Sequence, residues 1–270
     1  MARPSDSPGP RAAVDPANAV WRLVLDEALD GRPLTLLLAS RDGRWARAIC
    51  APGTYNNAVH DVELSSLKLA GARVSRSFDL TLNPDSWFPR DQKAIACQFA
   101  VDALAEGAKV TGTHRGKFGT KEVSGAVSGS LQPPASLPQS ATLRLRLEKA
   151  AAGWAPHLAR GLLNVAWSDG AVREGRIRSA YGWGWSGKVR ELRLNLTPEA
   201  LEGEVEAVIG LQPGGTELGA ELYTFALHGT VVGQAIAGHF EARPAGQNPF
   251  RGALTGRIEP GQMETPPADY

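Results

Sequence analysis

The chain has 270 residues, 43 % of them hydrophobic, which is enough to fill one large or two ordinary cores and marks a globular protein. With 29 Lys plus Arg against 28 Asp plus Glu the net charge is +1, so charge implies neither a nucleic-acid partner nor an anionic membrane surface. Two cysteines exclude a disulfide scaffold and a Cys-based zinc cluster, and no apolar run approaches the roughly 18 residues of a membrane helix, so a soluble chain is expected.

Thirty glycines and nineteen prolines beside two Met and seven Phe point to many short elements separated by turns, hence to an all-β class. Residues 1–19 are rich in Pro, Ser and Ala, and read as a disordered lead. They hold no apolar h-region, so they are not a signal peptide; the chain is exported if a signal has been removed and cytoplasmic otherwise, and the sequence does not decide which.

The first strand runs from Val20 to Asp26, alternating apolar and polar residues with the period of a half-buried strand. An Asp-Gly hairpin turn follows at Asp42-Gly43, then a strand from Trp45 to Cys50. Phe78, Leu80 and Leu82 share one face of a strand that stops at Pro84, and Lys93 to Val101 continue the sheet. Gly112, Gly116 and Phe118 lead into Gly125-Ala126-Val127-Ser128-Gly129-Ser130-Leu131-Gln132-Pro133, a glycine-marked strand with a proline stop.

That last motif returns as Gly252-Ala253-Leu254-Thr255-Gly256-Arg257-Ile258-Glu259-Pro260, without a gap and 127 positions later. Earlier elements return too. The first strand is echoed by Leu143 to Glu148, the Asp-Gly turn by Asp169-Gly170, and the next strand by Val172 to Ile177. Phe78–Asp85 is matched with Leu192–Glu199, Lys93 to Val101 with Leu201 to Ile209, and Gly112, Gly116 and Phe118 with Gly233, Gly238 and Phe240. Two copies of a folding unit of about 115 to 120 residues account for this spacing. The fold expected is therefore an internally duplicated antiparallel β-barrel or β-sandwich, with copies at 20–134 and 142–260, a Pro-rich linker at 135–141 and a mobile tail at 261–270. The copies are expected to pack about an approximate twofold, or else to join one larger sheet. The unit has a general likeness to tandem small barrels of the lipocalin kind, and such a likeness carries no function.

Where copies share residues they report scaffold, so differences between them mark candidate sites. With Pro84 matched to Pro198, the first copy holds 13 extra residues around Ala51 to Val62. This polar loop carries Tyr55, Asn56, Asn57, His60 and Asp61, a set suited to a sugar or a polar small ligand. Trp87, between prolines in a loop that only the first copy enriches with aromatics, suits contact with a protein or a glycan. Of the aromatic row Tyr181, Trp183 and Trp185, the matching places the first two in the core and leaves Trp185 as the exposed candidate. Extra length in the second copy near Gly210 to Leu218 and Ala242 to Pro249 reads as loop tips.

The five histidines show no metal-binding spacing, and no nucleophile elbow, phosphate loop or dinucleotide fingerprint is present. No cofactor or metal is expected. Cys50 and Cys97 either form one bridge in an oxidising compartment or stay as free thiols. The function expected is a non-enzymatic binding or structural module for a glycan or protein, with membership of a larger assembly as a further option. The alternative is a carbohydrate-active enzyme, hydrolase or lyase, using His60 with Asp61 or His239 with Glu241 as acid and base.

Overall fold

A computed structural model of the chain describes residues 14–51, 60–61, 68–82, 95–134, 136–149, 160–179, 186–211 and 220–261. All the regular elements among them are strands. One sheet holds β1 (Val20–Leu25), β2 (Leu34–Arg41), β3 (Arg44–Ala51), β4 (His60–Asp61), β5 (Lys68–Ala70), β6 (Arg73–Leu82), β7 (Ile95–Glu106), β8 (Lys109–Phe118) and β9 (Lys121–Gln132). The other holds β10 (Ser140–Lys149), β11 (Arg160–Ser168), β12 (Ala171–Ser179), β13 (Ser186–Leu196), β14 (Ala200–Leu211), β15 (Glu221–Val232), β16 (Ala235–Pro244) and β17 (Phe250–Pro260). The second is a closed antiparallel barrel, β10 pairing with β17; the first has the order β4-β3-β2-β1-β9-β8-β7-β6-β5 and is a nearly closed barrel. Each copy thus builds its own barrel, and neither a sandwich nor a shared sheet is formed.

Alternation fixes which way each strand faces. Along β7, Cys97, Phe99, Val101 and Ala103 are buried while Gln98, Asp102 and Leu104 are exposed. The hairpins at Asp42-Gly43 and Asp169-Gly170 have φ of 51° and 72° in one copy and 51° and 76° in the other, the left-handed pair that a tight two-residue hairpin requires. The repeated glycine motif is the closing strand: Gly129 lies opposite Leu23 and Gly256 opposite Leu145. A methyl group on Gly129 would stand 2.0 Å from the Arg22 carbonyl oxygen, so no other residue fits that approach. Residues 14–18, read from composition as part of a loose lead, are instead tied to the β2–β3 hairpin. The Trp21 indole donates to the Pro16 carbonyl (3.2 Å), the Ser40 hydroxyl donates to the same carbonyl (2.8 Å), and the Asp42 amide donates to Asn18 Oδ1 (3.0 Å).

Strand register corrects the matching of the copies. Phe78 on β6 pairs with Phe99, and Val205 on β14 pairs with Phe225, so β6 corresponds to β14 rather than to β13. Cys50 pairs with His60 as Ile177 pairs with Gly187, and Leu69 with Val74 as Leu196 with Leu201. Hence β4 and β5 match the two ends of β13, and residues 62–67 between them lie outside the described residues. From β2 to β9 the offset stays at 126 or 127, and the 13-residue surplus around Ala51 to Val62 disappears. Gly112 matches Gly238, which places His114 where the second copy has Phe240. The real difference in length is five residues more in the second copy between its first two strands, since Leu25 to Leu36 corresponds to Leu147 to Leu163.

The barrels dock through outward-facing apolar residues. Val20, Ala39 and Ile49 of the first cluster with Val232 and Ala237 of the second, backed by Leu37 and Ala235, and Ile49 is fully buried although it points away from its own barrel. Water would otherwise meet this row of aliphatic side chains, and small alanines on both sides let the two sheets approach closely. Arg41 and Arg47 flank the patch and both bind the Glu199 carboxylate, Arg47 at 2.8 Å. The surfaces in contact are β2 and β3 of one barrel and β15 and β16 of the other, which are not equivalent strands, so the copies are not related by the expected twofold.

Truncating Ile49→Ala is expected to cost about 2–4 kcal/mol in urea unfolding, the range for an aliphatic side chain removed from a packed site. Arg47 first, then Arg41, holds the Glu199 carboxyl below the usual glutamate range. That contribution is complete above the unfolded glutamate value of about 4.3 and is lost as pH falls through the lower folded value. Glu199→Gln should therefore flatten the acid limb of the stability profile, by less than about 1 kcal/mol because the pair is partly exposed.

Candidate functional site

Both barrel interiors are packed with side chains. Trp21, Phe78 and Phe99 lie in one and Phe225 and Phe240 in the other, all fully buried. Among the described residues, concave surface is found outside, where the barrels and their connection meet. A groove of about 750 Å³ runs there, with Val20, Leu37, Val232, Ala235 and the prolines 133, 134 and 138 as its apolar wall. Arg22, Gln132, Gln234 and Arg257 give it polar groups. Arg257 pairs with Glu259, whereas Arg22 has no ion-pair partner among the described residues. A second concavity of about 510 Å³, more open to solvent, lies on the outer face of β6 to β9 among Asp79, Gln98, Arg115 and Lys117.

Tyr55, Asn56, Asn57, Trp87 and Trp185 lie outside the described residues, as do Tyr181 and Trp183. His60 and Asp61 form β4, whose backbone pairs with Cys50 and Ile49, and this strand runs beside β16 at the junction of the barrels. His239 and Glu241 share the outer face of β16, but Glu241 turns to Arg243 (2.9 Å) and Arg251 (3.7 Å), and Arg243 holds its carboxyl below the usual range. His239 stacks instead on His228 of the next strand, with ring centroids 5.1 Å apart and planes 26° apart. His228 Nδ1 lies 2.6 Å from Glu202 Oε2 on β14, which makes a row of three side chains across three strands.

Two buried groups, His114 and Glu148, were not singled out from sequence, and the two cysteines are buried with them. His114 is 3 % exposed inside the first barrel, its Nε2 2.5 Å from the Asp26 carbonyl oxygen and its Nδ1 without a partner among the described residues. The carbonyl can only accept, so Nε2 carries the proton and Nδ1 is a bare acceptor in the core. A correct register would have exposed it as a polar residue at a core position. Cys50 and Cys97 are free thiols, both buried; burial pushes each thiol up, and at Cys50 the neighbouring Cys97 adds to the effect. Neither is a nucleophile in that state. Glu148 on β10 is also pushed up by burial, against the opposing pull of Arg146 at 2.8 Å.

No helix among the described residues is long and apolar enough to cross a membrane. No protein-family model matches the chain, and no curated protein matches it. Two solved structures show a weak likeness. One is kievitone hydratase from Nectria haematococca, 10 % identical over 91 % of this chain and 90 % of that one, with a TM-score of 0.24. The other is a putative outer membrane protein from Bacteroides fragilis NCTC 9343, 13 % identical over 91 % and 98 %, with a TM-score of 0.25. Superposition this weak carries no inference about activity.

An unpaired acceptor in a core costs about 1–3 kcal/mol. Replacing His114→Phe, the residue at the matching place in the second copy, should leave the barrel folded and raise its stability by up to about 1–2 kcal/mol in urea titration. A loss of stability would show that His114 is held by more than its contact with Asp26.

Proposed function

We propose that the protein is a non-enzymatic binding module that holds an extended acidic segment of a protein partner in the groove between its barrels. The observation that carries this reading is the Arg22 guanidinium, which has no ion-pair partner among the described residues and stands beside an apolar wall at the barrel junction. Prolines and aliphatic side chains offer a surface for side chains of an extended segment, the amides of Gln132 and Gln234 suit its backbone, and arginine matches a carboxylate in a two-pronged contact. Among the described residues no aromatic side chain lines this groove, which favours a peptide over a stacked sugar ring. The loop carrying Tyr55, Asn56, Asn57, His60 and Asp61, with Trp87 and Trp185, is proposed as a second contact region for a glycan or for the same partner.

A charge-assisted hydrogen bond lost from an interface is worth about 1.5–3 kcal/mol, or roughly ten- to hundredfold in affinity. Screening acidic peptides beside a glycan panel should give peptide binders that Arg22→Ala weakens by that factor and Trp185→Ala leaves alone. Glycan binding that is lost in Trp185→Ala and indifferent to Arg22 would replace this reading, and shortening of an oligosaccharide would replace it with an enzyme.

A further inference from the structure

The row Glu202, His228 and His239 lies on the outer face of β14, β15 and β16, away from the groove, and all three side chains reach solvent. On β17 the residue opposite His239 is Ala253, whose small side chain leaves the flank of the imidazole open. Glu202 accepts at His228 Nδ1 (2.6 Å). An ionised carboxylate has no proton to give, so Nδ1 carries the hydrogen and the lone pair of the neutral ring is left on Nε2. The carboxylate then holds that ring from behind, the arrangement found behind metal-ligating histidines. His239 stacks on it from the directly opposite position of the next strand, so the two imidazoles are cross-strand neighbours, and holding one ion between them requires their side chains to turn out of the stack.

We propose that His228 and His239 form a surface site for a divalent transition-metal ion of the copper(II), nickel or zinc type, with the Glu202 carboxylate as the positioning group behind His228. Imidazole nitrogen selects these metals over magnesium or calcium, which require oxygen ligands. Among the described residues no three His, Cys, Asp or Glu side chains converge as a ready-made ligand set, so solvent completes the coordination. The pair is hidden along the chain because the two histidines are eleven positions apart, and only strand register sets them side by side.

Titration of the tag-free full chain with copper(II), nickel, zinc and magnesium chlorides tests this, read by calorimetry and by nitrogen-15 spectra of the histidine rings. One-to-one binding is expected, tightest for copper(II) and absent for magnesium, with the resonances of His228 and His239 moving. His228→Ala and His239→Ala should each abolish it, and Glu202→Gln should weaken it by about 10–100-fold. All three positions are exposed, so the metal-free melting temperature of each variant should match that of the wild type. Absence of one-to-one binding at millimolar copper or zinc would overturn the proposal, as would binding that survives His239→Ala or moves only other histidine rings.

Discussion

Without the pairing of β1 with β9, and of β10 with β17, each meander would present two open edges with unmatched amide and carbonyl groups. Closure joins residues more than a hundred positions apart, and it draws the first and last strands so close that Gly129 and Gly256 can carry no side chain. Everything inside follows from that ring: once the sheet curls, alternate residues of each strand converge on an axis and must fill it. Leucine, valine and phenylalanine do so in both copies. Large side chains thus occupy both interiors, and the concave surfaces found among the described residues lie on the outer wall.

The outer wall is uneven. Most of it carries the salt-bridged pairs expected of a wet strand face, such as Arg193 with Glu191 and Arg73 with Asp102. On β2 and β3 of the first barrel, and β15 and β16 of the second, it turns aliphatic, and there the barrels meet. The Arg22 groove borders this dry patch, and β4 reaches it from the first barrel toward β16. Docking of the two copies thus creates concave surface that neither barrel has alone.

The duplication, the all-β class and the hairpin positions were legible because each rests on local chemistry: paired glycines in the closing strand, Asp-Gly where φ must be positive, and alternation of period two. The matching of β6 with β13 failed for an equally local reason. Phe78, Leu80, Leu82 and Pro84 look like Leu192, Leu194, Leu196 and Pro198, and any half-buried strand ending in proline does. Only hydrogen-bond register, a long-range property, tells β13 from β14. Pairings across strands were invisible for the same cause: along the chain His239 belongs with Glu241, whereas across the sheet it belongs with His228. Arg22 carries no local signal, since the groove beside it exists only where the two barrels and their connection meet. The docking patch did leave a trace in the run Leu34 to Ala39, apolar at nearly every position, as in a strand covered on both faces.

Because the barrels meet through non-equivalent strands, the contact is head-to-tail, and repeated units of that kind tend to grow without limit. Here the chain ends the series at both sides. The second barrel's counterparts of Leu37 and Ile49 are Asn164 and Arg176, so it offers no dry patch to a third unit. The first barrel's counterparts of Val232 and Ala235 are Glu106 and Lys109, so it accepts none from before. Divergence after duplication has left one sticky surface on each half and charged caps on the rest, a terminated polymer of length two.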